Sequence, residues 1–167
     1  MKISIVIPTI EEEAVVSMIK RLREIFRNPE IIIVDKSSDR YYSKLKATGC
    51  KIIRQKDKGV ESAIMQGLRV ASGSILASID ADGTHGLDGI KKGVELVENG
   101  YADLVLGNRF GKVRKGAMSS YIKLGNRTIS SIYSRMYKSK IHDVLTGLFG
   151  MNAISDLPIS LSVPVCR

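Results

Sequence analysis

The 167 residues are 44% hydrophobic, and 26 Lys and Arg against 17 Asp and Glu leave a formal charge of +9. That length suits one cored domain and argues against two, and the excess of cations favours an anionic partner: nucleic acid, a membrane surface or a phosphorylated substrate. Cys50 and Cys166 lie far apart without metal-ligand spacing, which excludes a disulfide framework and a zinc site and suggests a reducing, cytoplasmic setting. The chain opens on the strand-like Ile3–Ile7 run, so no signal peptide is expected, and no apolar stretch approaches the ~20 residues of a membrane-spanning helix.

The first hundred residues alternate short β-branched runs with longer helical patterns, which predicts βαβ units and a mostly parallel sheet flanked by helices. Lys2–Ile7 is a first strand and Glu12–Phe26 a helix; Asn28-Pro29 breaks the pattern before a second strand, Glu30–Val34. Asp39–Thr48 reads as helix, Lys51–Arg54 as a short strand, Gly59–Ala71 as helix and Ile75–Ile79 as a fourth strand. A helix over Gly86–Asn99 and a strand over Asp103–Leu106 follow. Lys112–Lys140 then carries eight Lys and Arg and no acidic residue, with apolar and tyrosine positions spaced for one or two amphipathic helices. The tail from Leu157 holds two prolines and looks irregular.

The fourth strand runs straight into Asp80-Ala81-Asp82, which places two carboxylates at a carboxyl end, where ligands bind in open α/β sheets. Two such carboxylates can share one divalent cation, and Mg2+ or Mn2+ favours oxygen ligands supplemented by phosphate and water. On the tripeptide alone, a solvated turn remains an alternative. Pro8-Thr9, Asp35 and Lys58-Gly59 add polar groups at three further strand ends along the same edge, so a nucleotide can lie across them. No G-x-G-x-x-G follows the first strand, which argues against a dinucleotide-dependent dehydrogenase.

The ordered set Val6-Ile7-Pro8-Thr9-Ile10-Glu11-Glu12-Glu13, Ile33-Val34-Asp35, Asp57-Lys58-Gly59, Asp80-Ala81-Asp82-Gly83-Thr84-His85 and Asp103–Arg109 resembles the inverting GT-A glycosyltransferases of family 2. Within them it is most similar to the dolichyl-phosphate mannosyltransferase group. The resemblance implies the GT-A nucleotide-diphospho-sugar transferase fold and a donor site in which Pro8, Glu12 and Asp35 meet base and ribose. It implies that Asp80, Asp82 and Thr84 hold the metal, that Arg109 and Arg127 reach phosphate, and that Lys58 belongs to the donor-binding set. Asp143 is the implied base for a hydroxyl acceptor, and otherwise an orienting group.

The implied reaction moves a hexose, mannose from GDP-mannose, to a polyprenyl phosphate such as dolichyl phosphate. A UDP-sugar donor such as UDP-glucose with a polyprenyl phosphate or saccharide acceptor is the alternative enzyme, and a module binding anionic membrane or nucleic acid the alternative outside enzymes. No nucleic-acid motif supports the last. Residues 1–111 are expected to form the donor region. Residues 112–167 are expected to form an acceptor and membrane-interface region of the same domain, cut short relative to the family and leaving room for a separate membrane-anchoring partner. The protein is expected on the cytoplasmic face of a membrane. The chain departs from the family's pattern at Ile10-Glu11, Lys36, Gly83 and Phe149.

Overall fold

The computed structural model describes residues 1–83, 86–107, 120–136 and 149–153. In chain order the elements are β1 (Ile3–Thr9), α1 (Ala14–Ile25), β2 (Glu30–Asp35), α2 (Asp39–Lys46), β3 (Lys51–Arg54), α3 (Val60–Arg69), β4 (Ile75–Ser78), α4 (Leu87–Glu98), β5 (Leu104–Leu106), α5 (Ser120–Met136) and β6 (Phe149–Asn152). They build one six-stranded sheet in the order β3-β2-β1-β4-β6-β5.

β1 lies parallel to β2 on one side and to β4 on the other, and β2 lies parallel to β3. Strands covered on both faces read as continuous apolar runs. Ile31-Ile32-Ile33-Val34 of β2 is such a run, buried throughout. Its odd members join Ile5, Ile7, Ile75 and Ala77 beneath α1 and α4; its even members join Val6 and Ala63 on the α3 side. α1 buries Val15, Met18, Ile19 and Leu22, the spacing of a single helical stripe, and α4 does the same with Leu87, Ile90, Val94 and Val97.

Two differences from the sequence expectation bear on the site. α1 begins at Ala14 rather than Glu12, so Glu11 and Glu12 belong to the loop leaving β1, and Glu13 takes the N-cap position without a side-chain cap bond. β6, which had no counterpart among the expected strands, inserts antiparallel between β4 and β5 and pairs Ser78 with Phe149 and Leu106 with Phe149. Part of the basic region expected to hold one or two helices is the single helix α5.

At the amino ends of the strands, Glu30 accepts hydrogen bonds from the Ser4 hydroxyl, the Ser72 amide (2.7 Å) and the Ser72 hydroxyl (2.9 Å). Burial pushes its carboxyl up, but these donors outweigh burial and hold it below the ordinary carboxylate range. α3 is drawn tightly onto β1 at Gly67, where an added Cβ would stand 2.4 Å from Val6 Cγ1 and 3.2 Å from Val34 Cγ2. Gly67→Ala is therefore expected to destabilise the fold by about 1–3 kcal/mol, measured by urea unfolding. A change under about 0.5 kcal/mol would show that this helix sits loosely.

Candidate functional site

Because β1 connects through β2 and β3 to one side and pairs with β4 on the other, the strand order reverses between β1 and β4. In open α/β sheets the crevice outside the carboxyl ends at that point is where ligands bind. Pro8 and Thr9 end β1, Asp35 ends β2, Arg54 ends β3, and Asp80 follows β4. The parallel register puts Thr9 beside Asp35 and Asp35 beside Arg54, one row across three strands.

Asp35 is fully buried, and a buried charge has to be paired and hydrogen-bonded. Its Oδ1 accepts from the Ser37 amide at 3.1 Å and the Ser37 hydroxyl at 2.5 Å; its Oδ2 accepts from Arg54 Nη1 at 3.1 Å. Arg54 also donates to the Ser37 carbonyl and to Asp39 Oδ1, and its guanidinium lies 4.0 Å from the centroid of the Tyr42 ring.

Ser37 carries the row back to β1. Its Oγ accepts from the Glu11 amide at 2.6 Å, while the Glu11 carboxylate accepts from the Ser38 amide at 3.0 Å. Glu11 sits at φ +54, in the left-handed region that costs a non-glycine residue energy and persists only where surroundings enforce it. The Ser38 hydrogen bonds hold its carboxyl below the ordinary carboxylate range. The Tyr41 hydroxyl donates to the Glu12 carbonyl and completes the tie between the β1–α1 loop and α2.

Of the residues expected at the site, Pro8 and Asp35 stand at adjacent strand ends and Glu12 in the loop leaving β1, Pro8 half-buried and Glu12 exposed. Lys58 is exposed in the neighbouring loop, immediately before Gly59, whose φ of +99 admits the turn into α3. Asp80 is half-buried and Asp82 exposed, flanking the buried Ala81, and Gly83 at φ +72 turns the chain beyond them. Arg127 is exposed on α5, and among the described residues no hydrogen bond or ion pair joins it to these strand ends. Thr84, Arg109 and Asp143 lie outside the described residues. Arg54 is the member that sequence reasoning missed; its signal was its place as the last residue of its strand, the place Asp35 holds in the strand beside it.

No group of three or more His, Cys, Asp or Glu side chains able to hold a metal occurs among the described residues. Magnesium and manganese need fewer: one or two carboxylates, with phosphate oxygens and water supplying the rest. Asp80 and Asp82 fit that hard-oxygen demand. Two residues before Asp80, Ser78 Oγ is buried without a hydrogen-bond partner among the described residues, a further oxygen on the same strand.

The model of glycosyl transferase family 2 matches residues 4–156. The chain belongs to that family. Over 166 residues it is 32% identical to a dolichol-phosphate mannosyltransferase of Pyrococcus furiosus, covering 92% of this chain and 46% of that one. It is 27% identical to a dolichyl-phosphate hexose transferase of Haloferax volcanii, over 83% of this chain and 60% of the relative. The chain spans about half the length of the curated relatives it matches.

Among solved structures, mannosyl-3-phosphoglycerate synthase from Rubrobacter xylanophilus superposes with a TM-score of 0.71 at 18% identity, over 91% of this chain and 53% of that one. Glucosyl-3-phosphoglycerate synthase from Mycobacterium tuberculosis, in complex with Mn2+, UDP and glucosyl-3-phosphoglycerate, superposes with a TM-score of 0.63 at 18% identity, over 90% and 56%. The fold is thus the mostly parallel GT-A sheet expected from the sequence, with β6 added.

Ser37→Ala removes the hydroxyl that joins Asp35 to the Glu11 amide. It is expected to cost about 1–3 kcal/mol in chemical denaturation, because the Glu11 amide loses its partner. An unchanged midpoint would show that the two loops hold without this bond.

Proposed function

We propose that the chain carries the donor site of a metal-dependent, inverting hexosyltransferase, moving mannose from GDP-mannose to a polyprenyl phosphate such as dolichyl phosphate. The observation that carries this is the pair Asp80 and Asp82 following β4, beside the crevice where the strand order reverses and in line with Asp35 and Pro8. The names of the archaeal relatives support the acceptor: both are dolichol-phosphate or dolichyl-phosphate transferases. In this reading residues 1–111 bind the donor, and residues 112–167 face the acceptor and the membrane.

Pro8, Glu12 and Asp35 receive base and ribose, and Lys58 and Asp80 belong with the diphosphate. Asp80 and Asp82, with Thr84, hold Mg2+ or Mn2+, which when bound supplies positive charge against the diphosphate. The acceptor oxygen attacks the anomeric carbon from the face opposite the nucleotide, the bond from that carbon to the diphosphate oxygen breaks, and the electron pair leaves with the diphosphate. Arg109 stabilises that developing charge, where fixed cations favour the transition state over the ground state. A phosphate acceptor is already anionic at neutral pH and needs no strong base; Asp143 then orients it.

α5 supports the membrane side of the proposal. Ile132 and Met136 are 53% and 66% exposed and share a stripe with Arg127 and Arg135, apolar and cationic groups side by side as on interfacial helices. No helix among the described residues is long and apolar enough to cross a membrane. The exposed stripe of α5 supports a peripheral position, proposed on the cytoplasmic face, with a separate anchoring partner compatible with it. The mycobacterial neighbour's bound UDP and Mn2+ favour a second reading, a UDP-sugar donor on the same site.

Calorimetry with GDP and UDP, each with and without manganese, tests the donor site, and Asp82→Ala is expected to abolish the metal-dependent part of binding. Full affinity in that variant would contradict the assignment. Arg127→Ala is expected to weaken acceptor use by about tenfold with donor affinity kept, read as label passing from radiolabelled nucleotide sugar into dolichyl phosphate in the organic phase. Equal loss of donor binding would move Arg127 to the donor side.

A further inference from the structure

Lys58 stands in the short loop between β3 and α3, where residues 56–59 are all exposed. The first turn of α3 is packed onto β1 and β2, with Ala63 buried beside Val6 and Val34, so this loop crosses back over the carboxyl ends towards the crevice. Lys58 itself joins no ion pair or hydrogen bond among the described residues. A long cationic side chain on an exposed loop has many directions open to it, and ordering it on binding costs affinity.

Gln55 removes much of that freedom. Its backbone N–H donates to the Asp35 carbonyl at 2.8 Å, which fixes it to the end of β2. From there the side chain reaches forward, and Nε2 donates to the Asp57 carbonyl at 2.6 Å and to the Gly59 carbonyl at 2.7 Å. Both N–H groups of the carboxamide are thus used, one on each side of Lys58. The Gly59 carbonyl also accepts from the Ala63 amide at 3.3 Å, so the loop is joined to the first turn of α3 at the same atom. From the far side, Gln66 Oε1 accepts from the Lys56 amide at 3.2 Å. We infer that Gln55 is a positioning residue of the donor site: it fixes the peptides flanking Lys58 and so aims the ammonium at the donor's diphosphate, without touching the donor itself. The inference rests on the proposal that Lys58 belongs with the diphosphate, and it adds the residue that holds Lys58 in place. Folding alone does not ask for this, because carbonyls on an exposed loop are satisfied by water.

Gln55→Met keeps the length of the side chain and removes both donors; Gln55→Ala, which removes the side chain, serves as a second variant. The test is calorimetry of the full chain with GDP and UDP in the presence of manganese, with thermal melts alongside. It compares wild type, the two Gln55 variants, Lys58→Ala, and Gln55→Met combined with Lys58→Ala. The combined variant asks whether the glutamine acts through the lysine.

Lys58→Ala and both Gln55 variants are each expected to weaken the tighter nucleotide by about tenfold while still folded, and the combined variant to bind no more weakly than Lys58→Ala. A glutamine that only shapes the loop would weaken binding by the same factor with or without Lys58, and that additivity overturns the inference. So does a folded Gln55 variant of wild-type affinity, or the loss of folding in both Gln55 variants. Wild-type affinity in Lys58→Ala overturns the inference and leaves the site at Asp80 and Asp82 standing. A wild type that binds neither nucleotide overturns the proposed function as well, which separates the two failures.

Discussion

β1 is paired in parallel on both edges and covered on both faces, and from that single constraint the remaining architecture follows. Parallel neighbours need crossover helices, and right-handed crossovers to opposite sides place helices on opposite faces. The chain therefore walks outward through β2 and β3, then returns to the far side of β1 as β4. Charged groups cannot sit within strands so completely covered, so they collect at the strand ends. Asp35, Arg54 and Asp80 take the carboxyl ends, while Glu30 and Lys51 take the amino ends.

The ends are held at fixed spacing by charge compensation. Burying the Asp35 carboxylate is costly unless every lone pair in reach is used, and the solution adopted recruits Ser37 from the following loop and Arg54 from the next strand. Ser37 in turn fixes Glu11 in a left-handed conformation. One buried charge thus ties two loops to the end of β3, which is the preorganisation a binding site needs.

Much of this was legible in the sequence. The β-branched runs and their breakers located β1 to β5 nearly to the residue, and the carboxylates of β2 and β4 stood at strand ends as expected. What escaped had physical reasons. Phe149-Gly-Met-Asn makes a four-residue strand with no alternation and a glycine inside it, and it forms only because β4 and β5 leave a gap of one strand between them. Glu12 and Glu13 were expected to open the first helix, which begins instead at Ala14, after a loop whose Glu11 is held by Ser37 and Ser38. Arg54 looked like a polar end to a weak strand; its meaning depends on the register with Asp35, which is a tertiary fact.

The late strand β6 has a consequence for how the protein comes into being. On a ribosome, β1 to β4 emerge and can pair long before residues 149–152 are made, so one side of β4 spends that interval as an open sheet edge, with Asp80 and Asp82 just beyond its end. Open edges invite pairing with other chains, and contacts between distant segments form slowly. The acidic pair at its end charges that edge until β6 arrives, so residues proposed to hold a cation in the finished protein would also discourage the nascent one from aggregating.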